Sequence, residues 1–409
     1  MSATVGSSSA PSSFTPSATA APVSEQTERI QSIDIIRGVI MVLMAIDHVR
    51  VYSGLPAGGP TAGIFFTRWI THFCAPGFVF LAGTAAFLHG RKLGDIGQLS
   101  RYLLTRGLML VVLELTLIRF SWTFNVAYDQ FVLAGVIWML GWCMVLLAGL
   151  VRLRARTVGW LGVGIICLQQ LFGLVPRMLP ESARPGFGRV WEFVYPAGLQ
   201  GAPGIEILYV LVPWIGVMAA GYGFGAIMLR DRDDRTRLCL RIGLAATAAF
   251  IVLAVVAAVA QGGGDGAGGA DGARRSLLFE VLDQRKYPAS QLYLLMTLGP
   301  MIALLPAAER ARGWIANAFG VIGRVPLFFY LLHIPLIHST ALLVNWMRTG
   351  STQSEFYNSA PYAFLPEETR WSLGLLYLVF AVDVVLLFGA CYWYAHVKRK
   401  RPGSWLKYI

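Results

Sequence analysis

Between residue 33 and residue 396 the chain passes through one apolar stretch after another, each close to the ~20 residues that cross a bilayer's hydrocarbon core as a helix. Composition agrees, with 56% hydrophobic and 14% charged residues against roughly 45–50% and 25% in an ordinary soluble domain. A soluble enzyme is excluded. The fold class expected is all-α, a polytopic membrane bundle of about ten transmembrane helices, at about 33–54, 64–89, 101–121, 131–150, 157–176, 206–228, 239–260, 290–306, 320–346 and 372–396.

The net charge of +12 is gathered in short clusters between these runs. Arg91, Lys92, Arg101 and Arg106 form one, Arg152, Arg154 and Arg156 another, and Arg230, Arg232, Arg235 and Arg237 a third. Arg310, Arg312 and Arg324, then Lys398 to Arg401, complete the set. They occupy every second connection and the C-terminus, which is the signature of membrane topology rather than of nucleic-acid binding, and it predicts that both termini are cytoplasmic. The stretch 1–29 is Ser, Thr, Ala and Pro, too poor in large apolar residues to fold, so it reads as a disordered tail without a secretory signal. Residues 261–275 read as a flexible outer loop around the Gly262–Gly272 run. The five cysteines lie singly in or beside apolar segments, without the spacing of a metal site or a disulfide framework.

Charge is costly in hydrocarbon, so ionisable residues within the spans are the candidates for chemistry. Asp34, Arg37, Met41, Met44 and His48 follow one another at steps of three and four and share one helical face. Arg37 and His48 differ in direction by about 20° and in height by about 16 Å, so a polar stripe runs from the cytoplasmic to the outer end. The plainer alternative is a pair of interfacial anchors and an end-capping histidine. Arg68 and His72 stand four apart on the second span. Glu114 is alone in the third, where pairing with Arg68 or Arg119 competes with handling a proton. His333 falls near mid-membrane, with His338 and Pro335 beyond it, and Asp383 is isolated in the last span. His89 and His396, at cytoplasmic helix ends, read as ordinary. No H-E-x-x-H, nucleophile-elbow or phosphate-loop motif occurs, and no metal site is expected.

The string SIDIIRGVIMVLMAIDH resembles the first helix of the transmembrane acyltransferase superfamily, in which a basic residue, ten residues and a His recur; Arg37 and His48 match that spacing. THFCAPGFVFLAGTAAFL, LVVLELTLIRFSW, KYPASQLYLLMTLGP, GRVPLFFYLLHIPLIH and the terminal WLKYI resemble, in that order, bacterial membrane proteins related to heparan-α-glucosaminide N-acetyltransferase. The resemblance spans nearly everything from residue 30, so 30–409 is taken as one acyltransferase-like domain. Two departures stand out. The lysosomal relative has Asn at the place of His48 and its catalytic His in the following loop, where this chain has no His before His72; Pro288 is followed by Ala289 where a second proline is usual.

The resemblance implies transfer of an acyl group, acetyl first among candidates, from cytoplasmic acyl-CoA to an amino or hydroxyl group of a sugar or glycan at the outer face. The enzyme would sit as a multi-pass protein in a bacterial inner membrane. Acyl-CoA would be a co-substrate, with no permanently bound cofactor and no nucleic acid; the bilayer, the donor, the glycan and a second copy in a homodimer are the partners to consider. His48, His72, His333 and Glu114 are the catalytic candidates, and which histidine is the base stays open. Arg37, Asp34, Asp47, Arg68, Lys286 and Tyr330 are the candidates for binding donor or acceptor. The competing reading is a proton-coupled transporter, which would use the same intramembrane groups as a relay but should show paired broken helices in two halves. A purely structural membrane protein would use them to join helices.

Overall fold

The computed structural model describes residues 31–59, 61–196, 204–260 and 277–400; the expected tail, the loop 261–275 and the terminal WLKYI lie outside them. Each of the ten apolar runs carries helix over most of its length. The chain opens with α1 (Gln31–Ser53). It continues through α2 (Ala62–Trp69), a 3-10 turn (Ile70–Phe73) and α3 (Cys74–Leu93), which together make one long unit. Gly94 at φ 69 ends α3, and Asp95 caps the next helix by accepting from the Gly97 and Gln98 amides. That glycine and that carboxylate close the connection to α4 (Ile96–Leu113) within two residues.

A π turn (Glu114–Ile118) and α5 (Arg119–Thr123) finish the third run, and α6 (Val136–Leu150) follows a short strand, β1 (Val132–Ala134). β1 pairs in parallel with β2 (Ile205–Ile207), Val132 opposite Ile205. This tiny sheet ties the entry of α6 to that of α9 (Trp214–Met228). The fifth run is bent: α7 (Ala155–Cys167) turns 68° into the 3-10 segment Gln169–Met178. A short helix, α8 (Arg184–Trp191), lies between that segment and β2. Then come α10 (Arg232–Ala260), α11 (Leu277–Leu282) and α12 (Gln291–Arg310). The ninth run, expected as one helix, is two: α13 (Trp314–Arg324) and α14 (Pro326–Thr349), parted at Val325, which precedes a proline and leaves the helical region. The last helix is α15 (Leu373–Lys400).

Among the described residues, five helical units are long and apolar enough to cross a membrane: Ala62–Leu93, α10, α12, α14 and α15; the bent α7 pair would make a sixth. α10 and α15 keep most of their apolar surface exposed, as lipid-facing helices do. This is a helical multi-pass membrane protein.

Lipid tails are as apolar as leucine, so helices in a bilayer gain by packing closely rather than by burying apolar surface. The pairs α3 with α9, α4 with α6, α7 with α9, α10 with α12 and α1 with α13 each meet at facing glycines. A Cβ at Gly83 or Gly221 would lie 2.0 Å from the Met218 carbonyl oxygen or 2.1 Å from that of Phe80, and only hydrogen fits. Among the described residues, the glycines at these crossings therefore carry much of the close helix packing. α1 lies at its centre, touching α3, α12, α13, α14 and α15.

Candidate functional site

The α1 stripe divides into two working ends. Asp34, Arg37 and Met41 line a cavity of about 510 Å³, Met44 is buried above them, and His48 meets His333 of α14. His48 Nδ1 lies 2.7 Å from His333 Nε2. The two ring planes differ by 22° and their centroids are 4.8 Å apart, so the rings meet end to end through this contact, and the edge of Trp122 closes on His48 at 4.8 Å. His333 is fully buried. Its Nδ1 turns back on its own helix and donates to the Tyr330 carbonyl at 2.6 Å and the Phe329 carbonyl at 3.2 Å.

Next to His48 on α1, Asp47 gathers cations. Its carboxylate accepts from Arg50 Nε at 3.0 Å and faces Arg68 Nη1 at 3.5 Å, and Lys286 lies within its electrostatic reach. Lys286 is nearly buried, 5.2 Å from the ring of Tyr287 and 5.9 Å from that of Tyr209. Arg68 also donates to Thr71, and His72 Nδ1 donates to the carbonyls of Arg68 and Trp69. Tyr293 supports this turn by donating its hydroxyl to the His72 carbonyl at 2.7 Å. One carboxylate thus stands among three cations, a setting that favours an anionic partner.

The cavity runs from the opposite end. Arg37, His89, Lys92 and Arg106 contribute the basic part of its lining, and Phe78, Leu103, Leu140 and Met144 are among its apolar walls. Tyr330 also lines it, and its ring stands 5.1 Å from that of His333. Arg37 holds its wall in place by donating to the Gly323 carbonyl of α13 at 3.2 Å and to Asp34 at 3.4 Å. The volume falls within the range of small-molecule sites, and basic groups at one end with apolar walls fit a ligand having an anionic head and an uncharged arm.

Glu114 is apart from this chemistry. Of the partners open to it from the sequence, neither Arg68 nor Arg119 is taken; its Oε2 accepts from the amides of Ile137 at 2.9 Å and Trp138 at 3.2 Å, capping α6 at its N-terminus. Gly135 permits this, since a Cβ there would lie 2.5 Å from Glu114 Oε1. Arg119 is buried and donates to the carbonyls of Phe131, Asn125 and Ala127, pinning the loop before β1. His338 donates to the Ser121 carbonyl and stacks on Phe124, Asp383 accepts from Thr340, and His396 contacts Arg399.

In the sequence alone Lys92 and Arg106 read as topology markers and His89 as an ordinary helix-end residue, yet all three line the cavity. A usable signal was present: Leu103, Arg106 and Leu110 recur at steps of three and four and line the cavity from one face of α4. Trp122 falls within the apolar segment LVVLELTLIRFSW, which gives no sign of its place beside His48. Among curated proteins, none matches the chain. The family model described as heparan-alpha-glucosaminide N-acetyltransferase, catalytic, matches residues 29–257, more than half of the 409. The match includes Arg37, Asp47, His48, Arg68, His72 and Glu114 and ends before Lys286, Tyr330 and His333.

Proposed function

The chain belongs to the heparan-alpha-glucosaminide N-acetyltransferase catalytic family, and from that premise we propose that it transfers an acyl group, acetyl first, from cytoplasmic acyl-CoA to an amino or hydroxyl group of a sugar at the outer face of the membrane. The observation that carries the reading is the cavity: it has basic groups at Arg37, Lys92 and Arg106, and its Tyr330 wall touches His333, the partner of His48. The basic groups receive the phosphates of CoA, and the apolar walls receive the pantetheine arm with its thioester leading. From the other side the acceptor reaches His48 past Asp47, Arg50, Arg68 and Lys286. The acceptor nitrogen or oxygen attacks the thioester carbon while His48 takes its proton. The carbon–sulfur bond then breaks, and the same proton goes to the departing CoA sulfur. Acylated sugar and free CoA result.

This chemistry fixes an orientation. The Arg37 end faces the cytoplasm and the His48 end faces out, in keeping with the alternating basic clusters, about ten crossings and cytoplasmic termini in a bacterial cell membrane. In a cysteine-free background, a thiol introduced at Ser182 should react with a membrane-impermeant maleimide in intact cells, and one at Arg232 only after permeabilisation. The reverse pattern would overturn the orientation.

The donor site is tested with purified full-length protein, acetyl-CoA and a panel of amino sugars, following release of free CoA and measuring donor affinity. Arg37→Ala should raise Kd for acetyl-CoA by about 10- to 100-fold, the worth of a hydrogen bond to a charged group. Arg37→Lys should recover part of it, because an ammonium lacks the planar fork. Acetyl-pantetheine, which lacks the nucleotide phosphates, should bind parent and Arg37→Ala alike. A variant that loses affinity for both donors in proportion to its fall in melting temperature would make Arg37 a structural clamp only, and a parent that releases no CoA with any acceptor would remove the reading itself.

A further inference from the structure

We infer that His333 is the positioning residue that sets the tautomer of His48, leaving Nε2 of His48 as the bare nitrogen that accepts the acceptor's proton; this rests on the acyl-transfer reading above. Each link in the chain fixes the next. Carbonyl oxygens only accept, so the contacts of His333 Nδ1 with the Tyr330 and Phe329 carbonyls, at 2.6 and 3.2 Å, require a hydrogen on that nitrogen. A neutral imidazole carries one N–H, so His333 Nε2 holds a lone pair. At 2.7 Å from it, His48 Nδ1 must be the donor, since two lone pairs would repel at that distance. His48 Nε2 is then without hydrogen. The other assignment, a cationic His333 donating from both nitrogens, would bury a full charge in a ring that is 0% exposed, and among the described residues no carboxylate contacts either ring.

The arrangement does more than orient. When His48 Nε2 takes the proton from the attacking group, the positive charge on the ring is met at Nδ1 by the lone pair of His333 Nε2, in a ring whose own Nδ1 donates to two carbonyl oxygens. A carboxylate often fills this place beside a catalytic histidine. Here a second histidine fills it, so the pair stays neutral at rest, which suits its burial. The proton then leaves Nε2 for the thioester sulfur as the carbon–sulfur bond breaks, and the pair returns to its starting state. Trp122, edge-on at 4.8 Å, limits rotation of the His48 ring out of this alignment.

The variants His333→Gln and His333→Leu separate this role from packing. A glutamine can present its side-chain oxygen where His333 Nε2 stands and accept from His48 Nδ1, whereas leucine fills space and accepts nothing. With full-length protein in lipid nanodiscs, acetyl-CoA and the amino-sugar panel, His333→Leu should lower kcat by about 10²-fold, with KM for acetyl-CoA within about twofold of the parent; His333→Gln should stay within about 10-fold of parental kcat. Nitrogen-15 NMR of histidine-labelled protein, with His48 assigned by loss of its signals in His48→Ala, should find hydrogen on Nδ1 in the parent and in His333→Gln. In His333→Leu it should move to Nε2 or divide between the two. The inference is overturned if His333→Leu keeps parental kcat, or if both variants lose activity in step with melting temperature while the His48 tautomer stays unchanged. If His333→Leu does not fold, the His48 tautomer of the parent and of His333→Gln decides alone. A parent that consumes no acetyl-CoA but has the Nδ1-hydrogen tautomer, lost in His333→Leu, would sink the proposed reaction and leave the histidine relay standing.

Discussion

His48→Ala is expected to lower kcat for acyl transfer by about 10²–10⁴-fold, the range for removal of a positioned proton acceptor, with donor affinity near the parent's and only a modest fall in melting temperature. The expectation follows from where His48 stands. It lies beyond the buried Met44 and outside the cavity lining that would hold CoA, so its loss removes nothing the donor touches in the ground state. It is only partly buried, and its one hydrogen-bond partner among the described residues is His333. Truncation therefore leaves a buried neutral imidazole short of one hydrogen bond, a cost of about 1–3 kcal/mol at most. An interaction made only as the proton moves shows in kcat and kcat/KM alike, with donor binding unaffected. The informative comparison is His72→Ala. His72 is held by two backbone carbonyls through Nδ1, with its ring tilted against that of Tyr293 at 5.4 Å. Steady-state kinetics that left His48→Ala near parental kcat and abolished turnover in His72→Ala would transfer the base to His72.

Much of this site could be read from residue spacing, because helical geometry turns spacing into direction. The steps of three and four that align Asp34, Arg37, Met41, Met44 and His48 need no tertiary knowledge, and α1 presents them as expected, three to the cavity and one to His333. Partners across helices were not legible. Nothing in the sequence pairs His48 with His333 rather than with His72, since that choice is made by how α14 settles against α1. Glu114 illustrates the same limit: its partners are backbone amides at the start of α6, which have no side-chain signature. The break at Val325–Pro326 was written in the chain, as proline excludes its predecessor from the helical region, but the apolar run concealed it. The bend after Cys167 has no such marker at Leu168 itself.

The contact that joins fold to site most directly is that of α1 with α13. A Cβ at Gly323 would lie 1.8 Å from the Asp34 carbonyl oxygen, and one at Gly38 would lie 2.0 Å from that of Phe319. Both obstacles are backbone, so no side-chain rotation relieves them and the helices must separate. Gly323→Ala is therefore expected to destabilise the protein by about 3 kcal/mol, the upper part of the usual cost of overpacking, seen as a drop in melting temperature. It should also weaken acetyl-CoA binding, because Arg37 is held against the cavity wall by the Gly323 carbonyl itself and α13 would carry that carbonyl away. Gly389→Ala in α15 is the control. A Cβ there meets nothing within 4 Å, so the change should be neutral or gain up to about 1 kcal/mol in helix propensity. Gly323→Ala should thus resemble Arg37→Ala in donor affinity while exceeding it in loss of stability. Equal melting temperatures for Gly323→Ala and Gly389→Ala would mean that α1 and α13 do not meet this closely, and a destabilised Gly323→Ala with parental donor affinity would uncouple the glycine contact from the donor site.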